Sequence, residues 1–371
     1  MRKIFSLFYH IFEKADLFLL ALCVSSSVYG ITLILSATSG FGTKKYVIVQ
    51  LAAMLMGLAA AGIILLVDIE NLVTLNKWIY AACVFMLVLT LLIGTEVYGN
   101  KNWIILGPVS VQPSEFVKVG FIVTFASHIN KVRDNINYPR AIIPLGIHFA
   151  VIFGLVMLEG DMGTGLVFLF IFITMLFAAG LHRLYFIIGG VVVAAAAPLV
   201  FNNLSGYQQM RILAVYDPTL DPLGYGYHTI QSKIALGSGG LGGAGLFGGV
   251  QTQYGILPAK QTDFIFSVAG EELGFIGSMA VLIMISVIIL RVFYLAKKAR
   301  NFTGMLVCSG VGAVFLFQAA ENIGMCLGLL PVIGITLPFF SYGGSSMLSS
   351  MCLVGLAMSV ESHRKGGFFK K

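Results

Sequence analysis

The chain has 371 residues, of which 58% are hydrophobic and only 11% charged, and its mean hydropathy is +0.94. Soluble domains carry about 45–50% apolar and about 25% charged residues, so a water-soluble globular enzyme is excluded. The formal net charge of +7 invites a nucleic-acid reading, which the placement of the charges along the chain removes.

Apolar runs occur at 15–37, 46–67, 78–94, 113–130, 141–157, 163–180, 184–201, 266–296, 304–328 and 337–360. Roughly 20 apolar residues cross a bilayer, so the pattern predicts an all-α polytopic membrane protein of about ten spans. The windows 78–94, 141–157 and 184–201 lie near the lower length limit. Long unbroken apolar runs contradict a membrane barrel, which needs short alternating strands. The opening Arg2-Lys3 imitates a signal peptide, but the apolar stretch continues to Ser36 without a small-residue cleavage site and reads as a retained first span. Ten spans put both termini on one side, where 16 of the 23 Lys and Arg residues fall. The other side holds Lys44, Lys45, Lys101, Arg211, Lys233 and Lys260, and Lys118 stays inside a span. The positive-inside rule then places both termini in the cytoplasm. The basic balance is topological, and no nucleic-acid partner is expected. All five cysteines sit in apolar runs without a CxxC and read as small buried hydrophobes. The six histidines include no HExxH pair, so no metal-binding motif is expected.

Between spans 7 and 8, from Asn203 to Thr262, the chain runs about 60 residues outside the membrane, far beyond a typical helix–helix connection. Twelve of these residues are glycine. Unstructured loops of this length are usually functional, so 203–265 is the expected working part of a single membrane domain, 1–371. The stretch Gly237 to Gly249 matches GxGxxG twice, yet no βαβ unit surrounds it. The absence of a Gly-Lys dipeptide also excludes a P-loop. Its glycines allow either a backbone anion cradle or a hinge.

Ionisable residues at membrane depth mark function by default. Glu115 and Lys118, in Gln112-Pro-Ser-Glu-Phe-Val-Lys118, share a helix face. They form an ion pair shaping a cavity or a direct substrate contact. Pro113 at the first helical position would also let Glu115 cap the helix. Asp161, in Asp161-Met-Gly-Thr164, either caps the next helix or faces substrate at the outer edge. Asp263 sits where the long loop re-enters the bilayer, three residues after Lys260. A carboxylate there is partly desolvated and so a stronger base, and a helix cap is the duller alternative. Glu271 and Glu272 follow about two turns into the helix, where at least one must face a polar interior. Between the last spans, Pro331 and Pro338 break the helix ahead of Ser341, Gly343, Gly344, Ser345 and Ser346. Broken helix at this depth lines a cavity or is buried in protein.

Taken in order, these segments resemble the SEDS family (shape, elongation, division and sporulation; RodA, FtsW and SpoVE). The carrying motifs are Asn102-Trp-Ile to Lys118, Asp161 to Thr164, and Gln231-Ser-Lys-Ile-Ala-Leu-Gly-Ser-Gly-Gly240. To them are added Leu257 to Gly274 and Leu330-Pro-Val-Ile-Gly334 to Ser346, so that the likeness covers about Asp16 to Ser362. It implies a peptidoglycan glycosyltransferase that polymerises lipid II beside a class B penicillin-binding protein in the bacterial plasma membrane. The family's catalytic aspartate matches Asp263, and its membrane Glu–Lys pair matches Glu115 and Lys118. Two departures stand out: Gly160 replaces the usual proline before Asp161, and Asn102 replaces the usual arginine before Trp103. Asp263 is expected as general base. Lys233, Lys260 and Arg211 are expected at the pyrophosphate, and Asp161, Glu115, Lys118, Ser341 and Ser345 around the substrate. No resident cofactor is required, although a divalent cation could assist. The rival class is a transporter moving lipid-linked precursor across the bilayer, for which ten spans and broken helices are equally natural. A non-catalytic scaffold is a third alternative. The short tails lean toward the elongation type.

Overall fold

In a computed structural model the described residues are 15–97, 100–107, 109–204, 206–217, 220–221 and 224–364. Ten long helices account for every expected span. They are α1 (Leu17–Ala37), α2 (Lys45–Leu66), α4 (Asn76–Ile93), α5 (Pro113–Lys131), α6 (Pro139–Leu158) and α7 (Met162–Ala178). The set is completed by α8 (Arg183–Asn203), α12 (Ile265–Lys298), α13 (Phe302–Cys326) and α14 (Gly344–Arg364). A short α3 (Ile69–Thr74) precedes α4. Six of the ten are long and apolar enough to cross a membrane by length and composition alone, and α7 and α8 are shorter apolar helices. The protein is therefore a multi-pass helical membrane protein. The last span starts at Gly344 rather than near 337, because Pro338 and the following Ser341-Tyr-Gly-Gly344 keep that stretch out of helix.

Local chemistry sets the helix ends. Asp16 caps α1 by accepting from the Leu19 N–H at 3.1 Å and also receives Arg291 Nε at 2.6 Å. Asn301 caps α13 by accepting from the Gly304 N–H at 2.8 Å. Asp16, Val67, Glu70, Arg291, Asn301 and Ser359 are joined by such contacts at one end of the bundle. The opposite end holds the long connection, tied down by bonds such as Ser39 Oγ to Gln253 Oε1 at 2.7 Å and the Tyr342 N–H to the Gln261 carbonyl at 2.8 Å. None of the described side chains of α8 is buried, so this helix stands off from the packed bundle.

Two features differ from the sequence expectation. A three-stranded antiparallel sheet, β1 (Thr95–Val97), β2 (Asn100–Leu106) and β3 (Val109–Val111), connects α4 to α5 at the long-connection end. The long connection is not structureless either, because it contains α9 (Gly206–Tyr216), α10 (Tyr225–Ser238) and α11 (Val250–Gln253).

In the glycine-rich stretch the Gly243, Ala244, Gly245 and Gly248 amides are spent on backbone carbonyls. The stretch packs into a break in α12, where Gly274 takes φ 68° and ψ −160°, a region closed to residues with a Cβ. The break leaves the carbonyls of Glu271 and Glu272 without helical partners. The Ala244 and Gly245 amides fill them at 2.9 Å, while the Phe275 and Ile276 amides donate to the Gly240 and Leu241 carbonyls. A Cβ on Gly243 would stand 2.2 Å from the Glu272 carbonyl oxygen. The glycines are required because two backbones touch there.

Candidate active site

Asp263 lies in the turn ahead of α12, whose N-cap is Phe264, so the capping position belongs to its neighbour. Its backbone is held from several directions. The Asp263 N–H donates to the Ala259 carbonyl at 3.1 Å. Asn322 Nδ2, on α13, donates to the Asp263 carbonyl at 2.8 Å and to the Ile335 carbonyl at 2.7 Å. Cys326 Sγ approaches the Asp263 carbonyl at 3.7 Å. One residue earlier, Ser341 Oγ donates to the Thr262 carbonyl at 2.6 Å and accepts the Leu337 N–H at 2.9 Å. Gln50, buried in α2, fixes the same segment by donating to the Ser341 carbonyl at 2.9 Å and accepting the Gly343 N–H at 3.0 Å. The proline-broken stretch 327–343 and the turn carrying Asp263 thus form one clamp. The Asp263 side chain is half-buried. Gly334 lies beside it, since a Cβ there would stand 3.7 Å from Asp263 Oδ2.

Glu321 lies beside this clamp, 4% exposed, within electrostatic reach of Asp263. Both its carboxylate oxygens are buried and lack a hydrogen-bond partner among the described residues. Sequence reasoning did not single it out, although a carboxylate inside an apolar span was the available signal. Gln50 and Asn322 were missed as clamp residues for a related reason: their partners are backbone carbonyls and amides far away in sequence.

The cations expected at substrate divide sharply. Lys233, on α10, is exposed and rests against Gly328 just beyond α13. Its neighbour Ser232 bonds Ser267 Oγ at 2.6 Å and the Cys326 carbonyl at 2.7 Å, which holds α10 against the helices flanking Asp263. Lys260 is instead buried. Its ammonium donates to the Thr252 carbonyl and lies 5.1 Å above the Phe41 ring. Burial holds its pKa below the ordinary lysine value, against the opposing pull of Glu272 and Glu271. Lys260 is therefore part of the framework. Arg211 falls on α9, with its side chain outside the described residues.

Glu271 accepts from the Gln251 and Thr252 amides at 2.6 and 2.9 Å and from Thr252 Oγ1 at 2.6 Å, which ties the start of α11 to α12. Glu272 Oε1 accepts from Gln253 Nε2 at 2.7 Å. Both acids face a polar interior, as membrane depth demands.

Asp161 is the hub of a second network. Oδ1 accepts the Thr164 N–H at 2.9 Å as the cap of α7, and Oδ2 accepts Asn102 Nδ2 at 2.7 Å, Gln112 Nε2 at 2.9 Å and Thr164 Oγ1 at 2.9 Å. The Asn102 departure thus gives Asp161 a neutral amide partner. Gly160 adopts φ 81°, a turn closed to proline. The Gln112 N–H donates to Ser345 Oγ at 3.1 Å, so Ser345, like Ser341, is engaged in positioning backbone. A Cβ on Gly163 would meet the Ile333 carbonyl oxygen at 3.0 Å, and stretch 331–338 therefore runs between this hub and Asp263.

Glu115 and Lys118 form a buried pair at 2.7 Å, the lysine 1% exposed, with Ser349 Oγ donating to the other carboxylate oxygen at 2.6 Å. Pro113 does occupy the first turn of α5, but Glu115 does not cap it; its oxygens go to the lysine and to α14. The pair braces α5 against α14.

The fold and this clamp define a polytopic membrane protein that presents one rigidly mounted carboxylate at one end of its bundle. The chain belongs to the cell cycle protein family of FtsW, RodA and SpoVE, whose profile matches residues 13–366. It is 36% identical over 362 residues to the probable peptidoglycan glycosyltransferase FtsW of Trichlorobacter lovleyi, covering 94% of each chain. It is 38% identical over 292 residues to the peptidoglycan glycosyltransferase MrdB of Escherichia coli, covering 78% of each. Among solved structures it resembles a chain of a peptidoglycan synthase complex described as coordinating polymerization and crosslinking, with TM-score 0.81, 30% identity and coverage of 95% and 99%. It also resembles Thermus thermophilus RodA, with TM-score 0.70, 27% identity and coverage of 96% and 98%.

Proposed function

We propose that the chain is a peptidoglycan glycosyltransferase that polymerises lipid II, with Asp263 as its general base. The observation supporting this reading is the clamp: Asn322 and the Ala259 carbonyl hold the Asp263 backbone, while Ser341 and Tyr342 hold the Thr262 and Gln261 carbonyls just before it. Preorganised placement of this kind is what base catalysis needs. Asp263 takes the proton from the acceptor 4-hydroxyl as that oxygen attacks the donor anomeric carbon. The new carbon–oxygen bond forms as the bond to the polyprenyl pyrophosphate breaks, and inversion turns an α-linked donor into a β-1,4 glycan. Lys233 is the exposed cation available for the leaving pyrophosphate. A divalent cation accompanying the pyrophosphate would add to that charge stabilisation.

The unburied flanks of α8 give prenyl chains an approach from the bilayer. Both termini lie in the cytoplasm, so Asp263 works on the outer face, and a class B penicillin-binding protein cross-links the glycan. The test is lipid II polymerisation by the purified chain, alone and with each class B partner from the same cell. Asp263→Asn abolishes glycan formation while leaving the melting profile in detergent unchanged; an active, normally folded Asp263→Asn protein refutes the assignment.

A further inference from the structure

At the end of the bundle away from Asp263, α4, α5 and α6 enclose a cavity of about 270 Å³. Lys77 and Lys131 stand exposed at its edge, and His128, His148, Tyr80 and Thr124 line it further in. No acidic residue contributes to the lining, and neither lysine forms an ion pair among the described residues. The interior polar groups are held in place. Tyr80 Oη donates to the His148 carbonyl at 2.9 Å, the two histidine Nδ1 atoms face each other at 3.1 Å, and His148 Nε2 lies 3.3 Å from Thr124 Oγ1. A hollow of hydroxyl and imidazole groups with two uncompensated ammonium groups at its edge is an anion site.

Its surroundings fix the source of that anion. Trp78, 77% exposed, follows Lys77 on α4, and Tyr138, 63% exposed, precedes α6. Such aromatic side chains sit at the level of lipid headgroups. On the same helices, Ile143 and Ile147 of α6 and Phe85 of α4 are bare apolar side chains suited to acyl chains. Basic pockets between membrane helices bind phosphate-bearing headgroups for this reason. We propose that this cavity is a binding site for an anionic glycerophospholipid, with its headgroup phosphate between Lys77 and Lys131 and its acyl chains along α4 and α6.

The site is separate from Asp263, so its test does not depend on the glycosyltransferase reading. The delipidated full chain in neutral detergent is titrated with phosphatidylglycerol, phosphatidylcholine or inorganic phosphate, and adducts are counted by native mass spectrometry alongside the melting temperature. Phosphatidylglycerol is expected to bind saturably and raise the melting temperature, with phosphatidylcholine at least about tenfold weaker. Lys77→Gln/Lys131→Gln should weaken phosphatidylglycerol by about tenfold or more, and Lys131→Gln alone should show an intermediate loss. Lys44→Gln/Lys45→Gln, which removes as much charge at the opposite end, should bind like the parent. Equal binding of the two lipids, or equal losses in both double variants, overturns the site. Displacement of phosphatidylglycerol by millimolar inorganic phosphate overturns the lipid assignment in favour of a soluble phosphate ligand.

Discussion

Asn322 offers the sharpest test of the clamp, because it lies off the proposed base yet holds the turn that carries it. Its amide nitrogen makes two bonds, at 2.8 Å to the Asp263 carbonyl and at 2.7 Å to the Ile335 carbonyl, while its own carbonyl oxygen is buried without a partner among the described residues. Replacement by alanine removes both bonds and leaves two carbonyls short of a donor. At about 1 kcal/mol net per bond, with part of the desolvation cost of the stranded groups added, the clamped geometry loses about 2–3 kcal/mol. A base displaced by about 1 Å costs about 100-fold in rate, and 1.4 kcal/mol corresponds to about tenfold. The expected result for Asn322→Ala is therefore kcat lower by about 10- to 100-fold with KM nearly unchanged. Asn322→Asp, which keeps the shape but sets a carboxylate against two carbonyls, should be at least as impaired. The assay is steady-state lipid II polymerisation with a parallel melting curve in detergent. Parent-level kcat in a protein whose melting temperature has fallen would show that Asn322 holds the fold and not the base.

Breaking the buried Glu115–Lys118 pair by Lys118→Met should cost about 3–5 kcal/mol, because a lone buried carboxylate remains, whereas Glu115→Met/Lys118→Met should recover most of that in thermal denaturation. Gly243→Ala combines φ 81° with a Cβ 2.2 Å from a carbonyl oxygen. It should destabilise by about 2 kcal/mol or more and reduce polymerisation with it, both read on one preparation. Glu159, just beyond α6, is buried with both carboxylate oxygens lacking a partner among the described residues; burial, then the neighbouring Asp161, push its pKa up to about 8 from 4.5. The folded protein thus holds a proton that the unfolded chain releases near 4.5. Stability from this group is full below that pH and is lost as pH rises toward and through 8. The melting temperature should fall between pH 5.5 and 8.5 in the parent and fall less in Glu159→Gln; identical slopes would place the titrating group elsewhere.

The spans were legible because hydropathy over 20 residues is a strong signal, and nine of the ten helices begin within about two residues of the apolar runs that foretold them. The place of Asp263, in the turn where the long connection meets α12, was legible from its position at the end of the loop. The packing of the glycine-rich stretch was not legible because it depends on a partner 30 residues away: at the Gly274 break, loop amides replace the lost helical bonds. The β1–β3 sheet escaped because strands of three to seven residues carry too few alternations to outweigh their polar composition. Lys260 looked like a substrate cation since charge predicts exposure, but Phe41 and the Thr252 carbonyl draw it inward.

The break at Gly274 also explains how the proposed base, at the end of a 60-residue connection, can be placed accurately. A continuous helix through Ile265–Lys298 would carry Asp263 wherever the long span tilts, since a kink-free helix transmits rotation along its length. With the chain broken at Gly274, the first two turns of α12 form an independent block. That block is fastened by the 239–245 backbone on one side, by Glu271 to α11 on another, and by Ser232 to α10 on a third. Asp263, immediately ahead of it, is then tied by Asn322 to α13 and by Ser341 to the proline-broken stretch. The position of the carboxylate is thereby set by α10, α11, α13 and stretch 327–343 together, so loss of any one tie should cost rate in proportion to how far it lets the block turn.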